Sequence, residues 1–425
     1  MLKEFRIANY RSINDEQIFT MEACSPREIS EFPEHVIEIG DQRLLKVSSL
    51  YGPNGSGKTN LFNGLLLLSN IIKGVWTKNE AFGNDNYFPC LLCGDDKPYS
   101  KFDIFFVRGH YEIGYSLVVD LRKQRLVQNA APYFTKVIDT EIISEEFIYR
   151  ELTNKDFTTL YKRDSDGIVT SDLIKNSDLI NSKQPLAKNS TFVGYVFNTF
   201  SSDHNDVVYH PIINFLFEID GIVLLSKESR IFRFTKEETI SLQPLLEKTK
   251  SLLNGFDIGI KNIYFKEVDG GLYCLFLDRV TADGHEFSIQ LNSESSGTRK
   301  IVNIILDVLS SQRGSIFIAD DFDSHLHPKL IRTIIELFTS KENKNKQLIF
   351  NSHDITNMNN QVFRRDEIWF ATRSKDDYST TYVPLSNIVD YKGNMVRKDA
   401  VYGKQYLEGK YGADPFIKKG LEWDK

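Results

Sequence analysis

The chain's 425 residues suffice for two or three folding units with a sizeable core, and 41% hydrophobic with 26% charged residues is ordinary for a soluble globular protein. The formal net charge of −6 excludes an overall basic field of the kind that marks a nucleic-acid binder, leaving only a local basic groove open. Residues 1–6 lack the apolar core of a secretion signal, and the longest apolar stretch, 64–72, is too short to span a bilayer. The cytoplasm is therefore the expected compartment, with no membrane partner.

Residues 5–13 start as a strand and turn polar, and the acidic stretch 16–38 reads as a surface loop. The apolar run 44–51 predicts a strand buried on both faces. Directly after it stands Gly52-Pro53-Asn54-Gly55-Ser56-Gly57-Lys58-Thr59, with the full G-x-x-x-x-G-K-[ST] spacing, and 60–72 reads as a helix. Strand, loop and helix in that order are what a P-loop needs. Its glycines let backbone N–H groups close around phosphates, and the helix N-terminus adds a favourable dipole. Lys58 is expected to reach the β- and γ-phosphates and the Thr59 hydroxyl to ligate Mg²⁺. Residues 52–59, with Asn60, are the candidate contacts to a nucleoside triphosphate.

Cys90-Leu91-Leu92-Cys93 has metal-ligand spacing, but no second Cys/His pair lies nearby. These two, Cys24 and Cys274 are expected as free thiols, and no metal beyond Mg²⁺ is expected. Strand-like runs at 102–107, 113–119 and 146–163, the last closed by Asp164-Ser165-Asp166-Gly167, predict antiparallel strands beside the nucleotide-binding sheet. From about 171 to 255 the apolar spacing is mostly helical. Thr235 and Glu238 make a capping box there, with Lys248 and Lys250 in the last turns and Gly255 as the stop. Strand signals resume at 258–265 and 272–276, so the helical segment is expected as an insertion.

Glu294-Ser295-Ser296-Gly297-Thr298-Arg299 precedes a helical run, 301–309. Ser295 and Gly297 at a helix start offer a hydroxyl and free N–H groups, a second phosphate-binding surface. Alone the pattern is weak. Its place shortly before an acidic strand end makes it specific: residues 315–319 form an apolar strand running into Asp320-Asp321-Phe322-Asp323, as a Walker B element requires. Asp320 is placed to hold Mg²⁺ through water and Asp321 to polarise the attacking water. Asp321 stands where Glu is usual, one methylene short, and a misplacement of about 1 Å costs ~10²-fold in rate. Slow or conditional hydrolysis is the expectation. A further buried strand, 348–352, ends at His353-Asp354, where His353 is placed to hydrogen-bond a γ-phosphate or orient the water; a capping histidine is the plainer alternative.

Together these elements resemble the ABC-class ATPase heads of chromosome-maintenance and recombination-repair proteins. The order is the same: P-loop, signature Ser295-Ser296-Gly297-Thr298, Walker B 316–321, D-loop Ser324-His325-Leu326-His327, switch His353. A nearer resemblance is to compact bacterial AAA-15/AAA-21-type ATPases, including RloA- and AbiL-like phage-defence proteins and the ATPase half of overcoming-lysogenization-defect nucleases. Asn9-Tyr10-Arg11-Ser12-Ile13, Asp323-Ser324-His325-Leu326-His327-Pro328 and the run 404–415 carry it, over roughly the first hundred and last 170 residues. Three features depart from the pattern: Asp321 in place of Glu, Ser-Ser-Gly-Thr in place of Ser-Gly-Gly, and no assignable Q-loop glutamine.

The resemblance implies an α/β P-loop NTPase of ABC ATPase-head type, a mixed sheet with an antiparallel β lobe and a helical insertion. The halves of the head would be 1–165 and 256–425, with the insertion at 166–255. It adds Arg11 to the nucleotide contacts, with ATP and Mg²⁺ as ligands and Lys58, Asp321 and His353 as the catalytic set. It also implies a composite site, in which the signature of one chain closes over the nucleotide on the other chain's P-loop, so that ATP holds a homodimer or higher homo-oligomer. The stretch after His353 lacks the spaced acids of a Toprim domain, so a separate effector, a Toprim nuclease or a toxin, is the expected partner in anti-phage defence by abortive infection. A DNA-repair clamp is a rival reading, disfavoured by the acidic balance and the lack of sustained heptads. A nucleotide-bound scaffold with little hydrolysis is another. No guanine motif is present, Asn154-Lys155-Asp156 having the wrong spacing.

Overall fold

Five consecutive buried residues, Val47–Tyr51, form strand β5, and the two faces of that strand belong to two different cores. In the computed structural model the described residues are 1–24, 32–74, 90, 92, 99–122, 124–128, 134–138, 141–174, 180, 183–199, 207–225, 233–255, 259–268, 270–281, 283–311, 314–343, 345–389, 393–397 and 399–413. Among them β5 lies inside a six-stranded sheet. Strands β13 (Ile222–Leu225), β17 (Ile316–Ala319), β18 (Gln347–Asn351), β5 and β19 (Ile368–Arg373) run parallel, and β20 (Thr380–Pro384) closes the edge antiparallel to β19. Side chains alternate between the cores with the period of two that a strand imposes. Leu50, Ile316, Ile318 and Ile349 join one cluster; Val47, Tyr51, Phe317, Ala319, Leu348 and Phe350 join the other. A parallel sheet must be covered on both faces, which is why β13 and β17 read as unbroken apolar runs.

The first core is closed by helix α1 (Lys58–Lys73) and a second sheet. This is antiparallel throughout, in the order β12 (Val169–Thr170), β11 (Thr158–Arg163), β10 (Glu141–Glu151), β7 (Tyr111–Asp120), β6 (Ser100–Arg108), β1 (Leu2–Ala8), β2 (Gln17–Thr20). Because α1 lies between two sheets, Leu61, Phe62, Leu65, Leu67, Leu68, Ile71 and Ile72 are all buried, more than one stripe of a surface helix would be. Helices α2 (Phe192–Thr199) and α3 (His210–Asp220) pack into the same core through Phe192, Val193, Ile212, Phe215 and Ile219. Arg108 on β6 donates to Glu218 on α3 at 2.9 Å.

The second core is closed by α5 (Ser296–Ser310) and α6 (Pro328–Thr339). A three-stranded sheet, β14 (Ile260–Val268), β15 (Leu272–Val280) and β16 (Glu286–Gln290), and helix α4 (Lys236–Gly255) pack beside them. The capping box of α4 is present: Thr235 N donates to Glu238 Oε2 at 2.7 Å and Glu238 N to Thr235 Oγ1 at 3.3 Å. Hairpin β3 (Val36–Ile39) and β4 (Gln42–Leu45), the pair β8 (Gln124–Gln128) and β9 (Phe134–Ile138), and the short α7 (Tyr402–Leu407) complete the elements.

Two expectations are corrected. The stretch 16–38 is not all loop: β2 lies within it and β3 begins in it, and Phe19 and Val36 are buried. The stretch 166–255 is not purely helical, because Ile222–Leu225 pairs with Ile316–Ala319 as the edge of the central sheet. Four apolar residues after a helix carry no period of their own, and tertiary pairing decides. Cys93 and residues 414–415 lie outside the described residues; Cys24, Cys90 and Cys274 form no disulfide among the described residues. No helix among the described residues is long and apolar enough to cross a membrane.

Candidate nucleotide site

The site forms where β5, β17 and β18 end on the same edge of the sheet, the place where an α/β sheet binds ligands. The loop 52–57 follows β5 and opens α1. Gly57, at φ 95°, is the residue before the helix, and a Cβ there would lie 2.3 Å from Thr380 Oγ1. Only glycine meets both the left-handed backbone and that approach. Lys58 folds under the loop, its Nζ donating to the Gly52 carbonyl at 2.8 Å and the Pro53 carbonyl at 3.1 Å. Burial pushes the ammonium's pKa down, while Asp321, then Asp320 and Asp323, pull it back up. An anion seated in the loop would act in the same sense as those carboxylates.

Thr59 Oγ1 donates to Asp320 Oδ1 at 2.9 Å, so the hydroxyl at the head of α1 and the carboxylate at the end of β17 meet directly. Asn351, the fully buried last residue of β18, holds the acids from behind. Its Nδ2 donates to Asp320 Oδ1 and its Oδ1 accepts from Asp321 N at 2.6 Å. Asp321 is in the left-handed region, φ 49°, with a half-exposed side chain whose Oδ1 lies 4.0 Å from His353 Nε2. His353 is in turn held through its backbone: Asp323 Oδ2 accepts from His353 N at 3.2 Å and from Asp354 N at 3.1 Å. His353, Asp321 and Asp323 therefore occupy one cluster.

At α5, Ser295 is an N-cap: its Oγ accepts from Thr298 N at 3.2 Å and lies 2.9 Å from Thr298 Oγ1. Its side of the turn is exposed. Gly297 instead faces the D-loop of its own chain, where a Cβ would lie 2.7 Å from the His325 carbonyl oxygen.

The opening of the chain reaches the loop from the other side. Arg11 Nη1 donates to Asn60 Oδ1 at 3.1 Å, Asn60 Nδ2 to Ser12 Oγ at 2.7 Å, and Ser12 Oγ lies 2.7 Å from Thr380 Oγ1. Thr380 and Tyr382 on β20 close the frame, their hydroxyls donating to the carbonyls of Ser56 at 2.9 Å and Gly57 at 2.7 Å. The structure thus gathers Arg11, 52–60, Asp320, Asp321 and His353 at one edge, while Gly297 packs against His325 and Ser295 caps α5. Asn351, Asp323, Thr380 and Tyr382 were not foreseen as site residues. The position of Asn351 at the tip of a central strand was the available signal.

Fold and loop together define an α/β P-loop nucleotide-binding protein with an antiparallel β lobe. Residues 47–358 match the family model described as "AAA domain, putative AbiEii toxin, Type IV TA system", and the chain belongs to that family of AAA ATPases. No curated protein matches the chain. Among solved structures, the SMC head domain from Thermotoga maritima is similar at 12% identity and a TM-score of 0.41, covering 90% of this chain and 98% of its own. An SmcHead bound to the C-winged helix domain of ScpA is similar at 10% identity and 0.43, over 90% and 97%. A Pyrococcus furiosus Smc head with an extended coiled coil, bound to the C-terminal domain of ScpA, is similar at 11% and 0.41, over 90% and 95%.

Proposed function

We propose that the protein binds ATP with Mg²⁺ and hydrolyses it, and that ATP closes a head-to-tail homodimer that controls a separate effector protein. The observation that carries this is the contact of Thr59 Oγ1 with Asp320 Oδ1, beside a buried Lys58. A hydroxyl and a carboxylate are the hard oxygen donors that suit Mg²⁺. Ser56 Oγ, buried and without a hydrogen-bond partner among the described residues, adds a donor inside the loop. Bound there, Mg²⁺ would neutralise charge developing on the phosphates. The chain's own residues do the rest: loop N–H groups and Lys58 seat the triphosphate, and Asp321 accepts the proton of an attacking water. His353, 4.0 Å from that carboxylate, orients it.

The dimer reading is supported by the exposed Ser295 N-cap, whose helix N-terminus offers donors to a phosphate on another chain. Hydrolysis would remove the group that both chains grip, making ATP a switch ligand through differential contacts. The family description names a putative AbiEii toxin and a Type IV TA system, which favours anti-phage defence as the setting; a toxin or Toprim nuclease is the effector this reading calls for.

The test is calorimetric titration of ATP with Mg²⁺, with turnover and particle mass followed in parallel. An absence of binding to the folded chain sinks the proposal. A second reading, a nucleotide-bound scaffold with little turnover, is favoured by the short Asp321 side chain standing 4.0 Å from His353. Single-turnover hydrolysis separates the two.

A further inference from the structure

One buried side chain fastens the turn carrying Asp321 to the signature helix of its own chain. Lys300 lies in the second turn of α5. Its Nζ donates to the carbonyls of Asp321 at 3.2 Å, Phe322 at 3.0 Å and Ser324 at 3.0 Å, and to Ser324 Oγ at 2.9 Å. The ammonium also sits 5.9 Å from the centre of the Phe322 ring. A lysine at a helix start needs none of this for helix stability, and burying an ammonium costs free energy unless its hydrogens are satisfied. What the arrangement achieves is to draw the carbonyls of residues 321, 322 and 324 toward one point.

That turn requires holding. Asp321 at φ 49° and His325 at φ 63° are both left-handed, a conformation a non-glycine residue keeps only where its surroundings impose it. A second contact points the same way, since Gly297 leaves no room for even a Cβ against the His325 carbonyl. Helix α5 and the 321–325 turn are thus locked together at two places, by the hydrogen bonds of Lys300 and by the backbone packing of Gly297.

We propose that Lys300 is a positioning residue for Asp321. It holds the 321–324 turn in the conformation that presents the carboxylate to the site, and it couples that turn to Ser295 and Gly297. A nucleotide on the partner chain that grips the signature turn then sets the acid of the chain it grips, so each chain reads its neighbour's nucleotide. This rests on the reading of Asp321 as the water-activating acid.

The test compares full-length Lys300→Met and Lys300→Arg with the parent, after circular dichroism confirms the fold. Arg keeps the buried charge, but its planar fork cannot place one nitrogen among these four acceptors. Both variants are expected to bind ATP at the parental affinity and keep the parental KM. kcat should fall roughly 10- to 100-fold in Lys300→Met, as for a catalytic group displaced by about an ångström, and less in Lys300→Arg. A purely structural role would scale activity with the folded fraction alone. The decisive measurement is the double variant Lys300→Met/Asp321→Asn. If Lys300 acts through Asp321, the double variant turns over no more slowly than Asp321→Asn. Multiplied losses in the double variant, or parental kcat in either folded single variant, overturn the proposal and leave the nucleotide site standing. Failure of the parent to bind ATP would overturn the site reading as well.

Discussion

Asn351 is hydrogen-bonded to Asp320 through its amide nitrogen, while its amide oxygen accepts from the backbone of Asp321 at 2.6 Å. One uncharged side chain at the tip of β18 thus fixes both acids. In Asn351→Asp the donor becomes a second carboxylate beside Asp320, and like charges sharing a site push one carboxyl toward its protonated form. The Mg²⁺ concentration needed for half-maximal ATP binding should rise at least tenfold. In Asn351→Leu both partners lose their bonds, at a cost of roughly 1–3 kcal/mol for each buried group left unsatisfied. Thermal melting should register that loss, and an unchanged midpoint would contradict it.

Lys58→Ala should abolish tight ATP binding while the fold survives. Lys58 is buried, but its hydrogen bonds go to the carbonyls of Gly52 and Pro53 in its own loop and not into the core. Calorimetry on the folded variant decides it: parental ATP affinity would rule out the P-loop assignment.

Asp321→Asn should slow hydrolysis by ~10²–10⁴-fold, the usual loss for a catalytic base, and prolong the ATP-bound dimer. Parental turnover in this variant removes Asp321 from the mechanism and favours the scaffold. Asp321→Glu is the companion measurement. A rate above the parent's would mean that the short side chain keeps the enzyme slow.

The composite site is tested best at Ser295. Gly297→Asp would drive its Cβ against the His325 carbonyl of the same chain and disturb the D-loop whatever the partner does. Ser295→Asp keeps an oxygen for Thr298 N, because Asp caps helices as well as Ser, and adds one negative charge where a phosphate would approach. Ser295→Asp protein should bind ATP but neither dimerise nor hydrolyse. Mixed with Lys58→Ala protein, it should recover part of the activity, since one site of the mixed dimer carries neither defect. Mixed dimers that form yet stay inactive would show that the signature does not act across chains.

Much of this site was legible in the sequence because its motifs are local. The spacing from Gly52 to Thr59, the acids after residues 316–319 and the histidine after 347–351 each sit at the end of an apolar run, and the sheet brings those ends together. The frame around them was not legible. Thr380 bonds to Ser56 across 324 positions of sequence and Ser12 to Thr380 across 368, and no periodicity encodes such a pairing. In the sequence Lys300 carries no mark that sets it apart, and only the fold of the 321–324 turn gives it oxygens to bind.

The frame on the P-loop also sets an order of events during synthesis. Ser12, Thr380 and Tyr382 tie the loop to both ends of the fold, so a nascent chain that has emerged only through α1 carries the complete Walker sequence without the hydroxyls that bond Ser56 and Gly57. At about 5–20 residues per second, β20 follows the P-loop out of the ribosome only after some tens of seconds. The frame of the loop is in this sense a late acquisition, complete in a chain whose last sheet strand has arrived and missing from fragments that end before β20.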